Sequence, residues 1–353
     1  MTATSVPDQD TLLEVRDLQV HYTTRSRANR ARELVRAVDG VSFHVRCGET
    51  LGLVGESGCG KTTTGRAILR LVEPAAGSIS FQGTDLLAAR RGRLKELRRG
   101  LQAVFQDPYD SLNPRMRVSD IVGEPLTIHR LARGDEQRRR VAELLERVGV
   151  SEEVASRRPA ELSGGQRQRI GIARALAVNP SLIVCDEAVS ALDVSIQAQV
   201  LNLLRRLQRD LGLSYLFIAH DLSVVRYVSD RVGVMYLGKL VEQAASDDLY
   251  AGPYHPYTLT LLRSAPSVDP DTRTTPQDSG EPASPVNPPA GCRFHPRCPF
   301  ARAECTRVEP EYTEVEPGRW VACHFWQEIK QHNAGTAVPK DGSGDDAGGV
   351  VDE

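Results

Sequence analysis

Residues 55–62, Gly55-Glu56-Ser57-Gly58-Cys59-Gly60-Lys61-Thr62, match the phosphate-binding pattern G-x-x-x-x-G-K-[ST] at every fixed position. Glycine backbone approaches an anion closely, so successive N–H groups of such a loop can point at phosphate oxygens. Lys61 would place its charge on the β- and γ-phosphates, and the Thr62 hydroxyl would ligate Mg²⁺. Together with Thr63, the loop predicts a site for ATP or a similar nucleoside triphosphate.

The surroundings of this loop support the prediction. The apolar run 50–54 is typical of a buried strand, and residues 63–71 are typical of a helix whose N-terminus would face the phosphates. The alternative is a glycine-rich turn that binds nothing. A strand before the loop and a helix after it disfavour that alternative.

Composition sets limits on the class of protein. The chain has 353 residues, 40% hydrophobic and 25% charged, with a formal net charge of −2. This balance is ordinary for a globular protein and does not indicate a nucleic-acid partner. No apolar run approaches the roughly 18 residues of a transmembrane helix, and the polar, acidic N-terminus does not resemble a secretory signal. A role at a membrane would therefore be exercised from its cytoplasmic face, by docking on another protein.

The second half of the chain alternates apolar strands with helices, which predicts an α/β fold with a helical insertion at 119–160. Three polar groups follow predicted strands: Gln106, the pair Asp186–Glu187, and His220. The carboxyl ends of parallel strands lie at one edge of a sheet, so these groups should converge there. Asp186 can hold Mg²⁺, Glu187 can polarise an attacking water, Gln106 can sense the ion or that water, and His220 can contact the γ-phosphate.

A further motif, Leu-Ser-Gly-Gly-Gln, occupies residues 162–166, and Ser-Ala-Leu-Asp occupies 190–193. Taken in order with the phosphate loop and the polar residues above, the set resembles the nucleotide-binding subunit of an ABC transporter over residues 11–330. The resemblance implies a P-loop NTPase cassette: a RecA-like core with an antiparallel β subdomain and a helical subdomain at about 107–162. It also implies a dimer of ATPase domains. The residues that would then complete the site are Ser163, Gly164, Gly165 and Gln166 against the partner's γ-phosphate, Asp193 beside them, and Tyr22 stacked on adenine.

Two segments point to a narrower resemblance. Residues 104–118 (VFQDPYDSLNPRMRV) and 190–204 (SALDVSIQAQVLNLL) resemble the ATPases of oligopeptide/dipeptide importers, and QDPYDSLNPRM is similar to their F-type subunit. That likeness implies a D-type ATPase as heterodimer partner, two permease subunits and an extracytoplasmic binding protein. Ala188 departs from the family pattern, which has proline after the catalytic glutamate; its effect on backbone freedom should not abolish catalysis. The substrate itself stays open among dipeptides, longer peptides, nickel complexes and glycosides.

Four cysteines, Cys292, Cys298, Cys305 and Cys323, cluster near the C-terminus. In a reducing compartment such clustering favours a metal over disulfides, although the spacing lacks the C-x2-C pairs of common zinc ribbons. In the importer family the corresponding segment is associated with a [4Fe–4S] cluster. Zinc and unligated thiols are the alternatives, and His295 and His324 are alternative nitrogen ligands.

The domain boundaries follow from composition and from the resemblance. We expect a disordered N-terminus at 1–10, the ATPase cassette at 11–240, an oligopeptide-transporter-type extension at 241–330 and a disordered tail at 331–353. Within the extension, the Pro-rich residues 266–291 are predicted to form a linker before the cysteine cluster at 292–323.

Two other classes remain as alternatives. A soluble ABC ATPase acting on DNA or ribosomes usually carries a long coiled coil or two tandem cassettes, and this chain shows one phosphate loop and no long heptad run. A catalytically silent subunit is disfavoured because Lys61, Gln106, Glu187 and His220 are all present.

Overall fold

The computed structural model describes residues 10–25, 32–107, 111–264, 284 and 286–334. Twelve strands in this part are β1 Thr11–Arg25, β2 Arg32–Arg46, β3 Thr50–Val54, β4 Ala76–Phe81, β5 Thr84–Asp85, β6 Leu101–Val104, β7 Leu182–Asp186, β8 Ser214–Ile218, β9 Arg231–Tyr236, β10 Lys239–Ala245, β11 Thr313–Glu316 and β12 Arg319–Val321. The α-helices there are α1 Lys61–Ile68, α2 Arg91–Gly100, α3 Val118–Ile128, α4 Gly134–Arg147, α5 Gly164–Leu176, α6 Val194–Leu211, α7 Leu222–Val228, α8 Ser246–Ala251, α9 Pro256–Ser264 and α10 Trp326–Ala334.

Two sheets organise these elements. The larger has the order β11-β12-β10-β9-β3-β8-β7-β6, and the smaller is an antiparallel sheet with the order β2-β1-β4-β5. In the larger sheet β9, β3, β8, β7 and β6 are parallel neighbours, so the polar residues that follow β3, β6, β7 and β8 lie at one edge. Strands β3, β7 and β8 are buried along their whole length, in accordance with their uninterrupted apolar sequences. The predicted mixed α/β architecture is confirmed.

The helical insertion predicted at 119–160 is divided into α3, α4 and short 3₁₀ turns at 152–156 and 159–161. The breaks have a backbone cause. Arg130 and Gly149 have φ values of 56° and 71°, which a helix cannot accommodate. Apolar periodicity located the helices correctly but did not reveal these left-handed residues between them.

The C-terminal extension is joined to the cassette by its backbone. Strand β12 pairs with β10 through Glu242↔Val321 and Gln243↔Trp320, which extends the larger sheet. Glu242 is fully buried and ion-pairs with Arg319 at 3.1 Å while accepting the N–H groups of Tyr254 and His255. A buried charge that is paired and hydrogen-bonded in this way fixes the geometry of its neighbours.

Several sequence predictions fall wholly or partly on residues that the structure does not describe. The expected disordered N-terminus at 1–10 lies outside the described residues except for Asp10, and the linker at 266–291 lies mostly outside them. The expected tail began too early, because helix α10 runs to Ala334 and so includes residues 331–334. None of the helices in the described ranges is long and apolar enough to cross a membrane.

Candidate functional site

The phosphate loop links the end of β3 to the start of α1, and its backbone requires glycine at two positions. Gly55 has φ 151°, and a Cβ there would lie 2.2 Å from the carbonyl oxygen of Met235. Gly60 has φ 111°, and a Cβ there would lie 2.2 Å from the carbonyl oxygen of Ala37. The loop therefore packs closely between β2 and β9, and only residues without a Cβ fit these two places.

Lys61 and Thr62 begin helix α1 directly after the loop. Lys61 is only 4% exposed, and its Nζ donates to the carbonyl oxygens of Gly55 at 2.7 Å and Glu56 at 3.0 Å. Thr62 Oγ1 donates to Asp186 Oδ1 at 2.9 Å. Burial raises the pKa of Asp186 against the opposing hydrogen bond from Thr62. A hydroxyl and a carboxylate in contact at the phosphate edge form an oxygen pair of the kind that Mg²⁺ prefers.

Glu187 and His220 are brought together by the parallel strands β7 and β8. Glu187 Oε1 lies 3.5 Å from His220 Nδ1, and the Glu187 side chain is 15% exposed against 53% for His220. The Glu187 backbone has φ 49°, and its N–H donates to the carbonyl oxygen of Ile218 at 2.9 Å. A non-glycine residue in the left-handed region is a strained feature that often occurs at functional sites.

The other predicted nucleotide contacts are more exposed. Gln106 lies two residues beyond β6, and its side chain is exposed. Tyr22 lies on β1 with 40% of its surface exposed, so it is not a core tyrosine. Ser57 and Gly58 at the apex of the phosphate loop are exposed, and Thr63 is partly buried. The adenine-stacking role of Tyr22 and the sensing role of Gln106 stay predictions.

The Leu-Ser-Gly-Gly-Gln motif at residues 162–166 lies at the N-terminus of α5. Ser163 Oγ accepts the N–H of Gln166 at 3.3 Å, and Gln166 Oε1 accepts the N–H of Ser163 at 3.0 Å, which is a capping box. Gly165 packs against Ile196 so closely that a Cβ would lie 2.6 Å from its Cγ2. Asp193 is exposed at the start of α6.

Within one chain, this segment does not meet the phosphate loop. Among the described residues no hydrogen bond or ion pair joins 163–166 to 55–62. The two motifs therefore make no polar contact with each other in the described part of one chain.

Sequence reasoning missed several residues that touch the phosphate loop. Arg297 forms a two-pronged ion pair with Glu56, with N–O distances of 2.8 and 2.9 Å, and Tyr257 Oη accepts the Glu56 N–H at 2.8 Å. Both residues belong to the C-terminal extension, about two hundred positions away in the chain. No local pattern connects such distant residues, so sequence carries no signal for the contact.

The four C-terminal cysteines come together although they spread over 32 positions of the chain, 292 to 323. All four line one small cavity of about 10 Å³, together with three histidines (His255, His295 and His324), phenylalanines and prolines. Burial raises the pKa of the thiols of Cys298 to about 11 and of Cys323 to about 12, and it also raises that of Cys292. These thiols are therefore protonated unless a cation compensates their charge.

The donor set suits a soft metal, but its geometry is not that of a closed metal site. In the described part of the chain, no group of three or more His, Cys, Asp or Glu side chains converges as ligands of one ion. Two of the histidines have ring nitrogens within hydrogen-bond distance of backbone carbonyl oxygens. His295 Nδ1 lies 2.9 Å from the carbonyl oxygen of Cys292, and His324 Nε2 lies 3.0 Å from that of Val308. His255 is buried and its pKa falls to about 3 through desolvation, so it is a neutral structural group.

Comparisons with known proteins agree with this arrangement. Residues 38–190 match the ABC transporter family, and residues 241–305 match the family described as oligopeptide/dipeptide transporter, C-terminal region. The chain is 54% identical over 320 residues to the putative oligopeptide transport ATP-binding protein YkfD of Bacillus subtilis, covering 90% of this chain and 96% of that protein. It is 51% identical to the oligopeptide transport ATP-binding protein AppF of the same organism, covering 90% and 98%.

Solved structures show the same fold in the cassette. A dimeric, post-hydrolysis state of the ATP-binding cassette MJ0796 bound to ADP and Pi matches with 28% identity and a TM-score of 0.60, covering 67% of this chain and 99% of that one. CbiO1 of Clostridium perfringens, part of the ABC transporter complex cbiONQ, matches with 27% identity and a TM-score of 0.58, covering 69% and 91%. On these grounds the chain belongs to the ABC transporter family, as an ATPase of the oligopeptide/dipeptide type.

Proposed function

We propose that this ATPase powers the import of peptides through a membrane permease. The observation that carries the proposal is the phosphate loop packed against an oligopeptide-transporter-type C-terminal extension in one chain. Relatives at 51–54% identity are named for oligopeptide transport, which supports the same substrate class. The direct test isolates the chain from its host with its co-purifying subunits and measures uptake of labelled di- and oligopeptides. Uptake of nickel complexes or glycosides in place of peptides would contradict the proposal.

The site residues have distinct proposed roles in ATP hydrolysis. Mg²⁺ would be held by Thr62 and Asp186, which are already in contact, with Gln106 reaching it from the end of β6. Glu187 orients and polarises the attacking water, and His220, 3.5 Å from it, holds the γ-phosphate. The buried Lys61 neutralises charge on the β- and γ-phosphates.

The separation of the two phosphate-binding motifs supports a dimer of cassettes. Ser163–Gln166 would face the nucleotide held by the partner, and Asp193 would lie at the same interface. The resemblance to F-type subunits favours a D-type ATPase as that partner, with two permease subunits and an extracytoplasmic binding protein completing the complex. Such an assembly holds the chain at the cytoplasmic face of the membrane.

Permease docking is proposed at the start of the helical subdomain. Arg115 and Arg117 are exposed just before α3, although residues 108–110 of this segment lie outside the described part. Charge reversal there, as in Arg117→Glu, should uncouple uptake from ATP hydrolysis because it changes the contact surface without touching the nucleotide site. Uptake and ATPase rates of the reconstituted transporter measure this, with Arg209→Glu on exposed α6 as the matched control. Wild-type coupling in Arg117→Glu and Arg115→Glu would show that the docking surface lies elsewhere.

The cysteine cavity is proposed to hold a metal centre, with a [4Fe–4S] cluster as the expected group. Four thiols around one cavity, with no carboxylate in its lining, support a thiolate-bound soft metal. The cavity of about 10 Å³ has the size of one water molecule. Because the thiols do not converge on one point in the described residues, they would have to move to hold either a zinc ion or a cluster. The metal centre would stabilise the segment 292–323, which has little apolar core of its own.

The metal can be identified by a direct measurement. Protein purified without oxygen should be brown and contain roughly four irons and four sulfides per chain. Cys298→Ser should remove the colour and loosen residues 292–323. Cys47→Ser, at an exposed cysteine outside this segment, should leave the colour unchanged. Colourless protein with one zinc per chain would identify the alternative metal. Colourless, metal-free protein with four titratable thiols would rule out the metal centre.

A further inference from the structure

The C-terminal extension contacts the phosphate loop directly at Glu56. Arg297 Nη1 and Nη2 donate to the two carboxylate oxygens of Glu56 at 2.9 and 2.8 Å. The Arg297 side chain is 9% exposed and that of Glu56 is 29% exposed. A planar, two-pronged pair of this kind fixes both the position and the orientation of the carboxylate.

Tyr257 holds the backbone of the same residue. Its Oη accepts the N–H of Glu56 at 2.8 Å, and its ring is buried against Tyr236 at 4.6 Å and Phe294 at 5.3 Å between centroids. Because the ring has no freedom in this aromatic cluster, the hydroxyl is placed rigidly. Side chain and backbone of Glu56 are thus both anchored by residues from outside the loop.

The remaining backbone group of Glu56 faces the catalytic lysine. The Glu56 carbonyl oxygen accepts from Lys61 Nζ at 3.0 Å, beside the bond from Lys61 to the Gly55 carbonyl oxygen at 2.7 Å. A displacement of Glu56 therefore moves an acceptor that sets where the Lys61 ammonium rests. A continuous series of contacts therefore links the extension, through Glu56, to the Lys61 ammonium that would bind the phosphates.

A second set of contacts links the extension to the loop through the β9–β10 turn. Arg293 donates to the carbonyl oxygen of Leu237 in the β9–β10 turn and ion-pairs with Asp39. Burial opposes ionisation of Asp39, but the bond and charge of Arg293 hold the pKa of this carboxyl below its ordinary value. The next residue of the turn, Gly238, donates its N–H to the carbonyl oxygen of Cys59 in the loop at 2.8 Å. The extension therefore contacts the loop directly at Glu56 and, through the β9–β10 turn, indirectly at Cys59.

We propose that Arg297 and Tyr257 are positioning residues of the nucleotide site, acting through Glu56 to hold Lys61 in place for the phosphates. The proposal rests on the ATP site alone and is independent of the metal and of the transported substrate. The competing account is that the same contacts only attach the extension to the cassette. The two accounts differ in what they predict for ATP affinity in a folded protein.

The first test is equilibrium titration of the full chain with ATP and Mg²⁺, together with thermal melting. Arg297→Ala should weaken ATP binding on the order of tenfold, the value of one charge-assisted contact. Arg297→Lys should recover part of the affinity because it keeps the charge and loses the two-pronged geometry. Arg307 is an exposed arginine of the same extension that donates to the Ala303 carbonyl oxygen within its own turn, so Arg307→Ala should bind ATP as the wild type does. Turnover at saturating ATP should change less than affinity.

A double-mutant comparison shows whether Arg297 acts through Glu56. The pair Glu56→Ala/Arg297→Ala should bind ATP no more weakly than Glu56→Ala alone, because the second change removes nothing further. Additive losses, or wild-type affinity in both Arg297→Ala and Tyr257→Phe, would overturn the proposal. Tyr257→Phe keeps the buried ring, so it carries the test if Arg297→Ala does not fold. Lys61→Ala is the reference variant in which ATP binding itself should be disrupted. Normal ATP binding by Lys61→Ala would contradict the nucleotide site. Normal binding by Arg297→Ala and Tyr257→Phe, with weak binding by Lys61→Ala, would contradict only the positioning role.

Discussion

Glu187→Gln is expected to lower ATP turnover by about 10²- to 10⁴-fold, the usual contribution of a positioned general base. Glutamine has nearly the same shape, so the left-handed backbone at Glu187 and its bond to Ile218 should persist. The amide cannot accept a proton from the attacking water, whereas nucleotide contacts from Lys61 and Thr62 remain. ATP binding should therefore be retained, and the ATP-bound dimer should accumulate.

The measurement is steady-state turnover of the assembled transporter, with the partner subunit's own site blocked by substitution. Size-exclusion chromatography with ATP then reports the trapped dimer. Glu143→Gln, at an exposed glutamate on α4, is the matched control and should turn over normally. Unchanged turnover in Glu187→Gln would remove this residue from the catalytic role.

Lys61→Ala should weaken ATP binding itself by about 10- to 150-fold, since a hydrogen bond to a charged group contributes roughly 1.5–3 kcal/mol. The ammonium is almost fully buried, and it donates to two backbone carbonyl oxygens and, at 3.8 Å, to Cys59 Sγ. Its removal would take away the cation that we propose to lie on the β- and γ-phosphates.

Equilibrium ATP titration of the full chain checks this expectation. Lys95→Ala is a suitable control, because Lys95 is exposed on α2 and donates to the carbonyl oxygen of Ile128 at the end of α3. Its affinity should equal that of the wild type. An affinity of Lys61→Ala within error of the wild type would contradict the assignment of this lysine, and a loss in both variants would indicate a general defect in folding.

The nucleotide site illustrates what local sequence can predict. The phosphate loop depends on glycine at fixed spacing and on a strand–loop–helix context, and both are local properties of residues 50–71. Asp186, Glu187 and His220 were predicted because each ends a buried apolar strand, and parallel pairing brings such ends to one edge. The breaks within the helical region were missed because the left-handed residues Arg130 and Gly149 lie within an otherwise helical apolar pattern.

Short motifs and periodicity are enough to predict the nucleotide-binding loop, the α/β architecture and the family. Only the tertiary structure showed that β11 and β12 extend the main sheet and that all four C-terminal cysteines line one cavity. It alone placed Arg297 on Glu56, a contact across 241 positions of the chain. Such contacts arise from packing and strand pairing between distant segments. No local pattern of residues encodes which side chains packing will bring together.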